Sequence, residues 1–591
     1  MNNHVIGIGG YLGHDANAAL VTNQKVQFAA QEERHTRIKH DLDFPVNAIQ
    51  ECLSFAGIRG EDVTDVAFAE KPVQAALQSH LELPFTPLRT LLGRSLPDSL
   101  SGRYVPHARK LFPNAKFHFV LHHVSHVAGA FVSSPFEEAA FLCVDGKGED
   151  YSATIGRVDA NGVEIFRELP WENGLGLLYT IVTSYLGFRS FGSEYKVMGL
   201  APYGQPRFVE NLLSLCDTDG DGALRIRHPL KFDDESTDKG IALVEAALGI
   251  AARSGSGSLL PEHIDIAASI QRLFEDEIGK MVRFARKLVA SDNLLFCGGC
   301  AQNCVAAGQI RRSGVFKNVY NSPVGGDMGS GLGAACFVAG RNANEIVKTD
   351  TRGFYLGSEP GQSPKEAGPH RIHYSGSVHE YVASEIAKGK TVGWVRGRME
   401  LGARALGARS ILADPRVPGM QSKLNLAVKF RESFRPFAPA VLAEHVSEWF
   451  DTDHESDYMN YTAHLLPSRR LGGNLPNSAS LKERLDFTRS EIQSVIHVDF
   501  SARLQTVREE IHPDFHQLIK CFNAITGIPI IINTSFNVSG QPIVRTASEA
   551  WQCFLHTNLD LLVINDEVFM NPNTKSMQEK QEWLQQFSGA A

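Results

Sequence analysis

The chain has 591 residues, 43% of them apolar, and it exceeds the size at which one hydrophobic core stops growing, so we expect two or three domains. A net charge of −8, spread over the whole length, argues against a nucleic-acid partner, which needs a basic face. Residues 1–10 lack the regions of a signal peptide, and no apolar run reaches the roughly 18 residues of a membrane span, so we expect a cytoplasmic protein with no membrane partner.

Three segments of the first half share one pattern, an apolar strand that runs into a glycine turn. The first, VIGIGGYLGHDANAALV followed by KVQFAAQEER, predicts three strands. The second begins near Phe117, where FHFVL predicts a strand, HHVSHVAGAFVSS a helix, and FLCVDG, YSATIGRV and VEIFREL three further strands. The third, NLLFCGGCAQN, is a buried strand that leads through glycines into a helix. Glycine turns admit phosphates closely, so the pattern predicts a nucleotide between two related lobes.

The composition shifts to Gly, Pro, Ser and His between Thr349 and Ser377, which is typical of a linker. Beyond it, HEYVASEIAKG predicts a helix and TVGWVRG a strand, and the region closes with the strand IPIIINTSFN and a helix from Thr546 to His556. These elements predict a second domain. The sequence has no GxxxxGK[ST] motif, so any ATP is held without a P-loop.

His122 and His126 are four residues apart at a helix start, which places both imidazoles on one face, where they could share a metal ion. The spacing alone also fits ordinary cap or core histidines, since 22 histidines produce about one such pair by chance. Asp145 at a strand end and Asp327 in a glycine turn favour the metal. Two histidines with carboxylates suit Fe(II), Zn or Mn, whose task would be to orient a substrate and polarise a carbonyl.

The segment from Cys297 to Cys304 has a C-x2-C-x3-C spacing that also occurs in zinc and iron–sulfur sites. No second Cys or His pair follows at a suitable distance, so the glycines matter more than the thiols. Gly298 and Gly299 would let a nucleotide lie against the backbone, and Asn303 would hydrogen-bond to its ribose or base.

Eight cations fall within two stretches of the predicted second domain, GWVRGRMELGARALGARS and KLNLAVKFRESFRPFAP: Arg396, Arg398, Arg404, Arg409, Lys423, Lys429, Arg431 and Arg435. A solvated face is one interpretation. The cations alternate with glycine and small apolar residues, however, which favours a pocket for phosphates. Asn533 and Ser535, at the end of an apolar strand, add neutral donors.

Nine motifs, in this order, resemble the NodU/CmcH/TobZ carbamoyltransferases from about residue 10 to about residue 545: GYLGHDANAALV, EERHTRIKHD, HHVSHVAGAF, SEYKVMGLAPYG, GGCAQN, GDMGSGLGAA, ARALGARSILADPR, KFRESFRPFAP and INTSFNVSGQPIV. The resemblance implies an α/β and α+β chain. Residues 1–355 would form a TsaD-like domain with the two-lobed actin-like (ASKHA) fold, 356–376 a linker, and 377–591 a YrdC-like α/β domain.

The resemblance also implies an ATP-dependent O-carbamoyltransferase. In the family, the YrdC-like domain converts carbamoyl phosphate and ATP to carbamoyl adenylate with loss of pyrophosphate, and the N-terminal domain passes the carbamoyl group to a hydroxyl. The implied cofactors are ATP with Mg2+ and Fe(II) or another divalent transition metal, with carbamoyl phosphate as co-substrate. The partners would be a small-molecule hydroxyl acceptor and a second copy of the chain in a homodimer.

Residue roles follow from the same resemblance. Phosphate binding is implied for Arg404, Lys429, Arg435, Arg503, Asn533 and Ser535, and metal binding for His122, His126, Asp145 and Asp327. His14 and Lys39 would face the reacting carbamoyl group beside Asp145, with His14 or a nearby carboxylate as general base. Glu194 and Lys196 are candidate nucleotide contacts or an ion pair, and we expect acceptor recognition in residues 81–103.

Two other functions share part of this evidence. A threonylcarbamoyl transferase acting on tRNA would have both domain types, although the acidic net charge disfavours it. A non-catalytic actin-like protein that uses ATP as a switch would leave the predicted metal residues and the second-domain cations without a purpose.

Overall fold

The computed structural model describes residues 2–10, 14–70, 104–149, 151–170, 174–189, 192–220, 222–228, 234–255, 257–343, 347, 354–452, 454–472 and 479–587. The expected acceptor-recognition segment, residues 81–103, lies outside these described residues.

A first five-stranded sheet forms the N-terminal lobe in the order β3-β2-β1-β4-β5. Both β1–β2 and β2–β3 pair antiparallel, whereas β4 and β5 add in parallel. The strands are β1 (His4–Gly9), β2 (Asn17–Thr22), β3 (Lys25–Gln31), β4 (Asp65–Phe68) and β5 (Lys116–Phe119).

A second five-stranded sheet consists of β6 (Ala139–Val144), β7 (Tyr151–Asp159), β8 (Gly162–Pro170), β11 (Asn293–Cys297) and β12 (Asn318–Asn321). Between β8 and β11 along the chain, β9 (Cys216–Thr218) and β10 (Leu224–Ile226) form a separate hairpin. The order of the five-stranded sheet is β12-β11-β6-β7-β8. Strands β6, β7, β8, β11 and β12 correspond in chain order to β1, β2, β3, β4 and β5. With this correspondence, the two sheets have the same strand order and the same pairing directions. The predicted pair of related lobes is therefore confirmed.

Helices cover these sheets and connect their strands. They are α1 (Glu33–Thr36), α2 (Val46–Ala56), α3 (Tyr104–Leu111), α4 (His122–Ser133), α5 (Leu175–Tyr185), α6 (Glu194–Leu200), α7 (Val209–Leu213), α8 (Asp234–Leu248), α9 (Pro261–Leu288), α10 (Cys304–Arg312) and α11 (Ser330–Ala343).

Helix α11 packs unusually close to its neighbours because small residues line the contacts. A Cβ added to Gly7 in β1 would lie 1.8 Å from the carbonyl oxygen of Gly331, and one added to Gly333 would lie 1.8 Å from the carbonyl oxygen of Ser125 in α4. Only glycine permits these distances. The close packing holds the start of α11 and the start of α4 side by side.

A third, nine-stranded mixed sheet forms the C-terminal part, in the order β13-β21-β20-β14-β15-β19-β16-β18-β17. Trp394, Trp449 and Trp551 are buried in its core. The strands are β13 (Arg371–Ile372), β14 (Val392–Val395), β15 (Arg409–Ala413), β16 (Ala438–Leu442), β17 (Tyr461–His464), β18 (Ser501–Val507), β19 (Ile530–Ser535), β20 (Leu561–Ile564) and β21 (Glu567–Met570).

The helices of this part are α12 (Val378–Ala387), α13 (Met420–Leu424), α14 (Leu481–Asp486), α15 (Pro513–Thr526), α16 (Ala547–Leu555) and α17 (Met577–Gln585). The predicted linker is partly ordered, because its last residues form β13, which pairs with β21 at the edge of the sheet. The α/β fold class is confirmed; the domain bounds stay a prediction. Within the described ranges, no helix has the length and apolar character that a membrane crossing requires.

Candidate functional site

Three elements bring the four predicted metal ligands together. Helix α4 begins at His122, so His126 lies one turn later on the same buried face. Asp145 follows the last residue of β6, and Asp327 opens the short turn that precedes α11. Because α11 packs tightly on α4, the turn at Asp327 faces both imidazoles.

The ligand atoms of these residues form a compact group in which all four lie within 4.8 Å of one another. The two Nε2 atoms are 2.9 Å apart. Asp145 Oδ2 lies 2.9 Å from Nε2 of His126 and 3.5 Å from that of His122, and Asp327 Oδ1 lies 3.2 Å from both. Donor atoms bound to one metal at about 2.0–2.1 Å in a tetrahedron are about 3.3 Å apart. The observed spacing fits a single shared ion.

Hydrogen bonding and charge also fit a cation. Within the described part of the chain, neither Asp145 Oδ2 nor Asp327 Oδ1 has a hydrogen-bond partner, although both are buried. Burial opposes charging of Asp327, yet His14 and His122 hold the pKa of its carboxyl well below the usual range. Burial and the neighbouring His122 oppose charging of His126, but Asp145 and Asp327 raise its pKa to about 9. The two charged carboxylates are stabilised by two positive charges nearby. Two protonated histidines could supply them, and so could one divalent ion bound by neutral imidazoles.

Neighbouring groups hold the four residues in place. Both oxygens of Glu149 accept the backbone N–H of His122, at 2.9 and 3.1 Å. The backbone N–H of Gly146 donates to Asp145 Oδ1, which turns Oδ2 toward the histidines. The amide of Asn17 donates to the carbonyl of Asp327 at 2.8 Å. Such outer contacts fix the orientation of metal ligands.

His14 lies on the other side of Asp327. Its Nε2 is 3.1 Å from Asp327 Oδ2 and its Nδ1 is 2.8 Å from Asp15 Oδ2. Burial opposes protonation, but Asp327 and Asp15 outweigh it and raise the pKa of His14 to about 9. Lys39 is paired with buried Glu33 at 2.9 Å. Neither nitrogen of His14 is free to take a proton from an acceptor in this arrangement, which favours a nearby carboxylate as the general base.

Among the predicted phosphate-binding residues, Arg404, Arg435 and Arg503 form a half-buried cluster of cations. Among the described residues, no carboxylate lies within 4 Å of Arg404 or Arg503, and Nε of Arg404 is buried without a hydrogen-bond partner. Burial and the charge of Arg503 lower the pKa of Arg404 to about 9. Arg431 belongs to the same group, since burial and Arg435 depress its pKa. Glu432 lies 3.6 Å from Arg435, but no other carboxylate of the described residues balances this group, so the cluster is a candidate anion-binding site.

One cavity of about 1500 Å3 connects the two groups. Its wall includes His14, His122, Asp145 and Asp327 as well as Arg404, Arg431, Arg435, Arg503, Asn533 and Ser535. Tyr195 lies on this wall, with its ring 4.5 Å from the guanidinium of Arg435, so the N-terminal and C-terminal parts touch inside the cavity. The cation cluster and the predicted metal ligands therefore face one continuous space.

Comparison with known sequences agrees with this geometry. Residues 4–336 match the family described as carbamoyltransferase N-terminus, and residues 383–571 match carbamoyltransferase C-terminus. The chain belongs to the carbamoyltransferase family. The predicted resemblance and the enzyme class are thereby confirmed.

Three relatives of this carbamoyltransferase have sequence identities between 28% and 37%. An uncharacterized protein of Synechocystis sp. is 37% identical over 99% of both chains. Nodulation protein NolNO of Sinorhizobium fredii is 34% identical over 93% of this chain and 78% of its own. The 3'-hydroxymethylcephem-O-carbamoyltransferase of Streptomyces clavuligerus is 28% identical over 67% of this chain and 74% of its own.

Some predicted residues of the carbamoyltransferase have other contacts than expected. Lys429 is buried and does not line the cavity; its ammonium donates to Ser535 Oγ at 3.1 Å and to Asn537 Oδ1 at 2.7 Å. It therefore supports the cavity wall. Asn533 lies on that wall, and its amide donates to Gln505 at 2.7 Å.

Some of the predicted nucleotide contacts line the cavity and others do not. Glu194, Gly299 and Asn303 line the cavity. Lys196 lies instead 3.6 Å from Glu432, so it pairs across the two parts of the chain and not with Glu194. Gly298 has a φ of +88°, and a Cβ there would lie 2.2 Å from the carbonyl oxygen of Val144, which explains the glycine without a nucleotide.

Sequence reasoning missed three residues of the site: Asp15, His40 and Asn17. Each one lies directly beside a motif residue, in GHDAN or in KHD, but no spacing rule marks it. Asp15 and His40 both have backbone φ angles in the left-handed region, at +61° and +56°. That strain appears only in the folded chain.

Proposed function

We propose that this carbamoyltransferase is an ATP-dependent O-carbamoyltransferase that makes carbamoyl adenylate at the cation cluster and transfers the carbamoyl group to a hydroxyl beside His14 and the predicted metal ligands. The observation that carries the proposal is the shared cavity, which joins an anion site to a metal-type site. Carbamoyl adenylate would move within this one cavity from the cation cluster, where it is made, to the predicted metal ligands, where it is consumed.

Adenylate formation needs the cations. Carbamoyl phosphate would first lose its phosphoryl group to water, giving carbamate and phosphate; a carbamate oxygen would then attack the α-phosphorus of ATP, and pyrophosphate would leave. Arg404, Arg435 and Arg503 would neutralise the charge on the phosphoryl oxygens. The hydroxyl of Ser535, held by Lys429 and Asn537, would donate to one of them. Mg2+ would accompany ATP.

Transfer needs the other end of the cavity. His122, His126, Asp145 and Asp327 would hold Fe(II), Zn or Mn, because two imidazoles and two carboxylates suit these ions. The ion would polarise the carbonyl of the carbamoyl group. His14, held between Asp15 and Asp327, would present its positive charge to the reacting oxygens, and Lys39, which lines the cavity, would stabilise the departing AMP. The acceptor hydroxyl would replace AMP at the carbonyl carbon and lose its proton to a carboxylate.

The acceptor is proposed to be a small molecule. The cations that would otherwise bind a nucleic-acid backbone line the interior of the cavity, and the net charge of the chain is −8. This supports a small hydroxyl compound over tRNA, because nucleic-acid binding depends on an exposed basic face. The same cations would have no purpose in a protein that uses ATP only as a switch.

The test is a pyrophosphate-release assay with ATP and carbamoyl phosphate, run with and without a panel of hydroxylated natural products. We expect release only when both substrates are present and carbamoylated product only with a suitable acceptor. Arg59→Ala is a matched control, because Arg59 is exposed on the first lobe far from the cavity wall. Release that ignores carbamoyl phosphate, or no release at all, would contradict the proposal.

A further inference from the structure

The carboxylate of Asp15 bridges two imidazoles. Its Oδ2 lies 2.8 Å from Nδ1 of His14, and its Oδ1 lies 3.0 Å from Nδ1 of His40. Asp15 is buried, whereas both histidines are partly exposed and line the cavity. The resemblance assigned a role to His14 and none to Asp15 or His40.

The backbone is strained to make this bridge. Asp15 and His40 both have positive φ angles, +61° and +56°, a region that residues with a Cβ rarely occupy. Two backbone hydrogen bonds hold the conformation, from Ala16 N–H to the carbonyl of Asp41 and from Glu32 N–H to the carbonyl of Ala16, each 2.8 Å long. Strain of this kind persists where the surrounding structure maintains it for a function.

The bridge determines where the His14 ring points. With Nδ1 fixed against Asp15, Nε2 faces Asp327 Oδ2 at 3.1 Å. Asp327 turns its other oxygen, Oδ1, toward His122 and His126. A chain of contacts thus runs from His40 through Asp15 and His14 to a predicted metal ligand.

We propose that Asp15 and His40 are positioning residues, which hold the His14 imidazole in the orientation that carbamoyl transfer requires. The proposal rests on the proposed function. His40 acts through Asp15: by donating to Oδ1 it leaves Oδ2 directed at His14. Loss of either residue frees the His14 ring to rotate away from Asp327.

The same three residues could instead bind a second metal ion, since their ligand atoms lie within 4.8 Å of one another. The hydrogen bonds already satisfy both oxygens of Asp15 and one nitrogen of each imidazole. This favours the positioning role, and the test below distinguishes the two.

The variants follow from the atoms involved. His40→Leu removes the donor, whereas His40→Asn keeps an N–H close to the place of Nδ1, and asparagine accepts a positive φ. Asp15→Asn keeps the shape and the backbone but can accept a hydrogen bond from only one imidazole. His118→Leu is the matched control, because His118 forms an equivalent pair with Asp65 at 2.7 Å, outside the cavity wall.

The experiment has a structural arm and a kinetic arm, both on the full-length, metal-loaded chain. Crystal structures give the His14 ring position and the number of bound ions. Kinetics compare pyrophosphate release with carbamoylation of glycerol, used in excess as a probe alcohol. In His40→Leu and Asp15→Asn we expect the distance from Nε2 to Asp327 to exceed about 3.5 Å. Carbamoyl-glycerol formation should fall roughly 10–100-fold, with pyrophosphate release within about twofold of the unmodified protein.

We expect His40→Asn and His118→Leu to behave like the unmodified chain. An unchanged His14 ring in both His40→Leu and Asp15→Asn would overturn the proposal, and so would a second ion bound by Asp15. The ring position is read without turnover. A chain that carbamoylates no alcohol would therefore contradict the proposed function and leave the structural result standing.

Discussion

Arg404 offers the sharpest test of the division of labour within the cavity. It is a half-buried guanidinium with no carboxylate within 4 Å among the described residues, and burial together with Arg503 lowers its pKa to about 9. Its charge is thus available to a bound anion. A charge-assisted hydrogen bond contributes roughly 1.5–3 kcal/mol, and a guanidinium can make two to one phosphate.

Replacing Arg404 by alanine should therefore cost about 3–6 kcal/mol of transition-state stabilisation, or about 10²- to 10⁴-fold in kcat/KM for pyrophosphate release. The fold should not suffer. The low pKa means that the charged guanidinium is less favourable in the folded chain than in the unfolded chain, so its removal should leave Tm unchanged or raise it.

The companion variant is His126→Ala, at the opposite end of the cavity. It should lose the bound metal and block transfer, yet release pyrophosphate normally, because His126 is not part of the cation cluster. The assays are pyrophosphate release, metal content by plasma mass spectrometry, and thermal unfolding of each variant. If both variants lost pyrophosphate release equally while remaining folded, the two-site arrangement would be wrong.

Three other predictions follow from the described contacts. Atom balance requires phosphate and pyrophosphate to appear in equal amounts, which phosphate and pyrophosphate assays on one sample can check; pyrophosphate without phosphate would exclude the proposed first step. The chain should bind one divalent transition metal with mixed nitrogen and oxygen ligands, seen by X-ray absorption, and Asp327→Ala should lose it; retained stoichiometry would remove Asp327 from the ligand set. Gly333→Ala should destabilise the fold by about 1–3 kcal/mol in chemical unfolding, because its Cβ would lie 1.8 Å from a carbonyl oxygen. Gly279→Ala, in helix α9 with only a side chain 3.5 Å away, should stabilise it by up to about 1 kcal/mol, and equal effects of the two substitutions would refute the packing argument.

Periodicity and turn residues predict eight of the ten strands in the two N-terminal sheets, but only β14 and β19 of the nine strands in the third sheet. The apolar runs at residues 5–8 and 294–296 became β1 and β11, because a fully buried strand leaves a continuous apolar signal. The segment from Thr349 to Ser377 is one exception: its Gly and Pro content predicted a linker, yet Arg371 and Ile372 pair with β21. A two-residue edge strand depends on its partner and has no signal of its own.

The site was predictable only where chemistry and spacing coincide. His122 and His126 share a helix face, so their proximity follows from the sequence. Asp327 is far from them along the chain; its glycine turn marks it as a candidate ligand, but only the resemblance places it beside the two histidines. The sequence does not predict that Lys429 supports the cavity wall. It cannot show whether the ammonium of a buried lysine reaches the cavity or donates to a neighbour such as Ser535.

The candidate site residues follow equivalent strands of the two five-stranded sheets. His14 lies between the first and second strands of one sheet, and Asp145 occupies the corresponding place in the other. Glu70 and Gly299 both come just after a fourth strand. The same arrangement of five strands thus occurs twice in the chain. The two copies share their strand order and pairing directions, but they carry different side chains at equivalent positions. A residue lost from one copy has a structural counterpart in the other but no chemical substitute, so we expect activity to need both lobes.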